Sequence, residues 1–204
     1  MRLTGKPRGK ISFAIINEGY AAEAGDKRWM FDELSTIAEL FPGHIDVVNL
    51  LALSKKQIKE RLLAKDVIYV VGGPTDYVMH VFQKSGVADM LPELLATKVY
   101  VGSSAGTMIL GKRMGIAAHK QIYLEQDEYG VTAYLGLVDY TFAPHFESTN
   151  WQHNTAALLQ KISTTYAGRI CGLKDTQAVV INGKKTQFVG SKPFCVSAGK
   201  IVRL

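Results

Sequence analysis

A chain of 204 residues, 47% hydrophobic and 21% charged, has the make-up of an ordinary globular protein. At this length about 70% of the unfolded surface can be buried, so a core needs neither a disulfide nor a metal staple, and one domain over residues 1–204 is expected. The net charge of +6 is mild, and its densest part (Arg2, Lys6, Arg8, Lys10) reads as a solvated terminus instead of a nucleic-acid arm.

Residues 10–16 read as a buried first strand. Residues 27–41 carry Met30, Phe31, Leu34, Ile37, Ala38 and Phe41 at helical spacing, and Pro42-Gly43 ends that helix. A second strand over 45–49 precedes a helix over 54–64, with Ser54 as its cap. A third strand over 66–71 runs into Gly72-Gly73-Pro74, followed by helical sequence over 75–84 and 88–96 and a fourth strand over 99–101. Residues 114–136 hold His119, Glu125, Asp127 and Glu128 without clear periodicity. A strand over 137–142 and a helix over 155–166 follow. Short strands are then expected at 169–173, 178–181, 186–189, 194–196 and 201–204, with Asn182-Gly183 and Ala198-Gly199 as turns.

Strands alternating with helices predict an α/β fold, a doubly wound and mostly parallel sheet with a hairpin edge at its C-terminal end. Ligands of such sheets sit beyond the carboxyl ends of the strands. Apolar runs such as 67–71 are too short to span a bilayer, and no charged start precedes an apolar leader segment. Cys171 and Cys195 read as two buried thiols in a reducing compartment, so the cytoplasm is the expected location. No nucleic-acid or membrane partner is expected. No dinucleotide fingerprint, P-loop or metal-ligand cluster stands out, so no cofactor is expected either.

The most informative stretch is 98–107. A β-prone run enters Gly102-Ser103-Ser104-Ala105-Gly106, and helix-compatible sequence follows. Strand, tight turn and helix in that order form the context of a nucleophile elbow, with Ser104 as nucleophile and the Ala105 amide as an oxyanion donor. A serine needs a base, and the base needs an orienting group. Of the five histidines, His145 in Ala143-Pro-His-Phe146 follows a strand and is the best placed; His44, His80, His119 and His153 fit less well. The acid stays open among Asp139, Glu147 and Asp175, the last of which sits in a turn-like Lys174-Asp-Thr-Gln177.

Gly72-Gly73, Gly102-Ser-Ser-Ala-Gly106, Pro144-His-Phe146 and Gly172-Leu-Lys-Asp175 follow one another as in the dipeptidase E (aspartyl dipeptidase) family, which the chain resembles over nearly its whole length. The resemblance implies a fold like class I glutamine amidotransferases and a serine peptidase acting on small peptides. It implies Ser104 as nucleophile, His145 as base, Asp175 as third member, and oxyanion donors at Ala105 and Gly73. Two departures stand out. Pro74, which has no amide, follows the glycine pair. No arginine occurs between His145 and Arg169, so a preference for N-terminal aspartate is not expected. Competing readings are a glutamine amidotransferase, which needs a cysteine at the elbow, an esterase using Ser104, Asp139 and His153, and a non-catalytic binding or regulatory protein on the same scaffold.

Overall fold

The computed structural model describes residues 3–126 and 128–203; Arg2, Asp127 and Leu204, named above, lie outside the described residues. The chain divides into two compact units, one running to Thr107 and the other starting at Met108.

In the first unit, β1 (Phe13–Ile16), β2 (Ile45–Val47), β3 (Val67–Val70) and β4 (Val99–Gly102) form one sheet in the order β2-β1-β3-β4. Every pairing in it is parallel. Such strands are covered on both faces and read as unbroken apolar runs, which is why Phe13-Ala-Ile-Ile16 shows no alternation. Phe13, Ile15, Val67 and Val71 pack with Ile37, Met30, Leu34 and Phe41 of the helical layer, while Ala14, Ile16, Ile68 and Val70 are equally buried. The helices are α1 (Glu18–Ala22), α2 (Arg28–Leu40), α3 (Lys55–Leu63), α4 (Thr75–Ser85) and α5 (Val87–Leu94), and α6 (Ala105–Met108) starts in this unit and ends on the first residue of the next. Ser54 caps α3 through a reciprocal pair of hydrogen bonds with Gln57. β1 begins later than expected because Arg8–Lys10 coils into a 3-10 turn.

In the second unit, α7 (Ile116–Tyr123) fills part of the stretch without clear periodicity; it is only eight residues long and buries Ala118, His119, Ile122 and Tyr123. The expected strand over 137–142 is displaced to β5 (Thr141–Pro144). The amides of Leu135 and Leu137 donate to the carbonyls of Ile109 and Leu110, so that segment follows a loop. After α8 (Ala156–Ser163) come β6 (Ile170–Leu173), β7 (Ala178–Asn182), β8 (Lys185–Val189), β9 (Phe194–Ser197) and β10 (Lys200–Val202). A sheet in the order β10-β9-β6-β5 pairs β5 with β6 in parallel and the others antiparallel, and β7-β8 forms a separate hairpin. Ala198 and Gly199, at φ 47 and 75, make the β9–β10 turn that matches strand twist.

The reading of the cysteines as two separate thiols is corrected. Cys171 of β6 and Cys195 of β9 are register partners across an antiparallel pair and form a disulfide. Facing side chains at one rung touch, a proximity between residues 24 apart that local sequence does not reveal. The cysteine argument for a reducing compartment goes with it. Among the described residues no helix is long and apolar enough to cross a membrane.

Candidate active site

Ser104 stands between β4 and α6 at φ 48, a left-handed conformation that costs a non-glycine residue about 1 kcal/mol or more and persists only where its surroundings impose it. Here they do so through backbone packed on backbone. A Cβ on Gly102 would drive into the backbone of Gly106 and Thr107, and one on Gly106 into the carbonyl of Val70. The Ser103 amide donates to Val70 O at 2.9 Å, and Gly106 and Thr107 donate to Ser103 O and Ser104 O at 2.8 and 2.9 Å. Thr107 Oγ1 donates to Gly102 O at 2.6 Å and Tyr100 Oη to Gly106 O at 2.7 Å. The loop after β3 passes against the same serine: a Cβ on Gly72 would lie 3.0 Å from Ser104 Cβ and 3.5 Å from its Oγ. Gly73 follows at φ 126 with Gly19 pressed against it, so only glycine fits there. Ala105 opens α6 and is buried.

Glu18, beside Gly19, has a buried carboxyl whose Oε1 accepts from the Leu50 amide. Burial pushes its pKa up despite that hydrogen bond. Among the described residues its Oε2 meets no hydrogen-bond partner.

In the second unit, β5 and β6 run in parallel with Pro144 opposite Leu173, so residues just past either strand emerge at one edge. His145 follows β5 at φ 61, and its Nδ1 lies 2.7 Å from Oδ1 of Asp175, which follows β6. An ionised carboxylate only accepts, so Nδ1 carries the proton and Nε2 is the basic nitrogen. The imidazole stacks on Trp151, with ring centroids 5.6 Å apart and planes at 18°. The Pro144 carbonyl accepts from Tyr123 Oη at 3.0 Å and from Asn154 Nδ2 at 2.7 Å, while the Phe146 amide donates to Leu173 O at 2.9 Å. The backbone on both sides of His145 is therefore anchored. Its side chain is 28% exposed and that of Asp175 57%.

The other candidates are engaged elsewhere. Asp139 is 89% exposed and pairs with Lys112 at 2.5 Å, which holds its carboxyl below the usual range. Glu147 pairs with Lys174 at 2.8 Å. His119 is fully buried, its Nδ1 3.1 Å from Glu125 and its Nε2 3.3 Å from the Tyr134 hydroxyl. His44 meets Lys65 at 2.9 Å, and His153 is exposed. Trp151, Tyr123 and Asn154, which hold His145, were not singled out by the sequence; no spacing or motif marks them.

A family model described as Peptidase family S51 matches residues 19–189. An uncharacterized peptidase of Listeria monocytogenes is 31% identical over 146 residues, 69% of this chain and 68% of the relative. One from Pasteurella multocida is 29% identical over 143 residues, 69% and 67% of the two chains. A solved Listeria monocytogenes structure named for peptidase E matches at a TM-score of 0.71 and 25% identity, covering 92% of this chain and 87% of that one. A peptidase from an acI-B1 Actinobacterium has the same fold at a TM-score of 0.58 and 16% identity, over 95% and 83% of the two chains. The expected α/β fold is that of these structures, and the matched residues run through the glycine pair, the serine elbow, the histidine and the aspartate, so the chain belongs to peptidase family S51.

Proposed function

We propose that this peptidase is a serine hydrolase of small peptides working through an acyl-enzyme on Ser104. His145 Nε2 takes the proton of the Ser104 hydroxyl as Oγ attacks the scissile carbonyl. Asp175 keeps the proton on Nδ1 and stabilises the imidazolium that forms. The Ala105 and Gly73 amides receive the oxyanion, each donor contributing about 3 kcal/mol in comparable sites. His145 then protonates the leaving amine, and water, activated by the same nitrogen, releases the acyl group. The observation that carries the reading is the 2.7 Å contact of His145 with Asp175: a histidine fixed in this tautomer offers a base, and a peptidase with a serine elbow has a use for one.

No arginine lies between His145 and Arg169 to meet a substrate aspartate, and of the cations that could replace it (Lys112, Arg113 and Lys120) two are engaged. Lys112 is bound to Asp139, and Arg113 lies 5.9 Å over the Tyr134 ring. Asp-X dipeptides are therefore expected to lead neutral ones by less than about a hundredfold, roughly 2.7 kcal/mol. The test is a panel of dipeptides and esters together with a fluorophosphonate probe, run on the wild type and on Ser104→Ala. Expected are preferential turnover of dipeptides and labelling that depends on Ser104. Turnover should fall by at least about 10³ in the variant with thermal stability unchanged. Retained turnover in Ser104→Ala sinks the mechanism, and turnover of esters alone would favour an esterase.

A further inference from the structure

In the second unit, the segment 144–154 closes on itself around His145. Three turns follow at intervals of three residues: the Ser148 amide donates to His145 O at 3.2 Å, the Trp151 amide to Ser148 O at 3.1 Å, and the Asn154 amide to Trp151 O at 2.9 Å. Asn154 also shuts the mouth of the loop. Its carbonyl accepts from the Glu147 amide at 2.9 Å, and its Nδ2 donates to Pro144 O at 2.7 Å. One residue thus ties down the residue before His145, the second residue after it, and Trp151. His145 and Glu147, at φ 61 and 56, need such ties, since a left-handed backbone outside glycine persists only where its surroundings impose it.

Asn154 is fully buried, and among the described residues its Oδ1 meets no hydrogen-bond partner. A leucine of similar size would leave no such orphan, and Pro144 O would keep Tyr123 Oη as a donor. Stability alone therefore does not account for an amide here; what it adds is a second anchor on the peptide leading into His145. The imidazole itself poses a similar question. Asp175 holds Nδ1 at 2.7 Å, yet that carboxylate is exposed and shared with water. A single hydrogen bond also leaves the ring free to tilt about it. The Trp151 stack, at 5.6 Å and 18°, removes that freedom. Trp151 is in turn braced by Tyr123, edge-on at 5.5 Å and 72°, whose hydroxyl is the one bound to Pro144 O.

Resting on the reading of His145 as the base, we propose that Trp151 and Asn154 are its positioning residues: Trp151 fixes the plane of the imidazole, and Asn154 closes the loop that carries both rings. The test is fluorophosphonate inactivation of the full chain, separating the maximal rate from the probe's apparent affinity, with melting temperature recorded alongside. Trp151→Ala should slow the maximal rate about tenfold at unchanged affinity, an aromatic pair's worth of the barrier. Trp151→Phe keeps a flat ring under the imidazole and should stay within about threefold of wild type. Asn154→Leu should also slow the rate about tenfold, one hydrogen bond's worth. Because Trp151 and Asp175 act on one ring, adding Trp151→Ala to Asp175→Asn should cost at most about threefold more than Asp175→Asn alone. Wild-type rates in Trp151→Ala, a Trp151→Phe rate as low as that of Trp151→Ala, or full multiplication with Asp175→Asn would overturn the proposal. So would weaker affinity at an unchanged maximal rate, which would make Trp151 a substrate contact. Should Asn154→Leu not fold, the two Trp151 variants decide, since that side chain is only partly buried. Labelling that survives in His145→Ala overturns the base reading and this inference together; labelling lost there but unimpaired in Trp151→Ala overturns this inference only.

Discussion

Ser104 and His145 are both non-glycine residues at positive φ, 48 and 61, and each lies just past the carboxyl end of a parallel strand. They are held by opposite means. Around Ser104 the work is done by missing side chains: Gly72, Gly102 and Gly106 let backbone press on backbone. Around His145 it is done by side chains, with Trp151 under the ring, Asp175 on Nδ1, and Tyr123 and Asn154 on the preceding carbonyl. The first solution leaves most of its mark within the five residues 102–106, with Gly72 as the one member outside them. The second is spread over more than fifty positions and makes no local motif.

The sharpest way to break the comparison is through the aspartate. Asp175→Asn leaves a neutral partner that stabilises the wrong tautomer, and turnover should fall by about 10³, less than the ~10⁴ seen where such a carboxylate is fully buried. The smaller loss is expected because Asp175 is 57% exposed, so water shares its task. Asp139→Asn, on a surface carboxylate paired with Lys112, should leave kcat within about twofold, since exposed ion pairs contribute little. Steady-state kinetics on the two variants checks this; the reverse pattern would return Asp139 to the site.

This contrast decides how much was legible in the sequence. The elbow could be read because the need for glycine is local and fixed in spacing. The two central strands of the first sheet, β1 and β3, could be read because strands covered on both faces are continuous apolar runs. Asp175 could not be assigned from its surroundings alone, because Lys174-Asp-Thr-Gln177 really is a turn: the Gln177 amide donates to Lys174 O at 2.9 Å, and the Lys174 amide to Gln177 Oε1 at 2.8 Å. The turn and the histidine contact coexist, and only the family resemblance pointed to the second. The Cys171–Cys195 bond depends on which strands become neighbours. β5 was displaced because Leu137 and Val138 are apolar enough for a strand, yet their amides both go to Leu110 O.

If missing side chains hold the serine, adding one should undo the elbow while sparing the histidine. Gly102→Ala puts a methyl into the backbone of Gly106 and Thr107, which cannot move without displacing α6. We expect a loss of about 3 kcal/mol, at the upper end for overpacking in a tight core, read as a lower denaturation midpoint. Fluorophosphonate labelling should drop with it. Near-wild-type stability in Gly102→Ala would mean that the close backbone approach is not what fixes Ser104.

The smallest expected effect concerns Glu18, whose neighbour Gly19 packs against Gly72 O. Its carboxyl is buried, accepts one amide hydrogen bond from Leu50, and has an oxygen without a partner among the described residues. Burial raises its pKa from the ordinary 4.5, so above that pH the native state binds more protons than the unfolded chain. Stability therefore falls as pH rises through the ordinary value, and the contribution is gone above the native pKa. Glu18→Gln keeps an acceptor for the Leu50 amide and removes the charge. It should stabilise the protein near neutral pH by about 1 kcal/mol, the cost of burying the charge being removed while one polar group stays unpartnered, and should flatten the decline in stability from acidic to neutral pH. Denaturation midpoints of wild type and variant, compared at acidic and neutral pH, give the answer. Parallel curves would mean that Glu18 is solvated or partnered in solution, and that the glycine-lined loop beside Ser104 is less tightly closed than its backbone contacts imply.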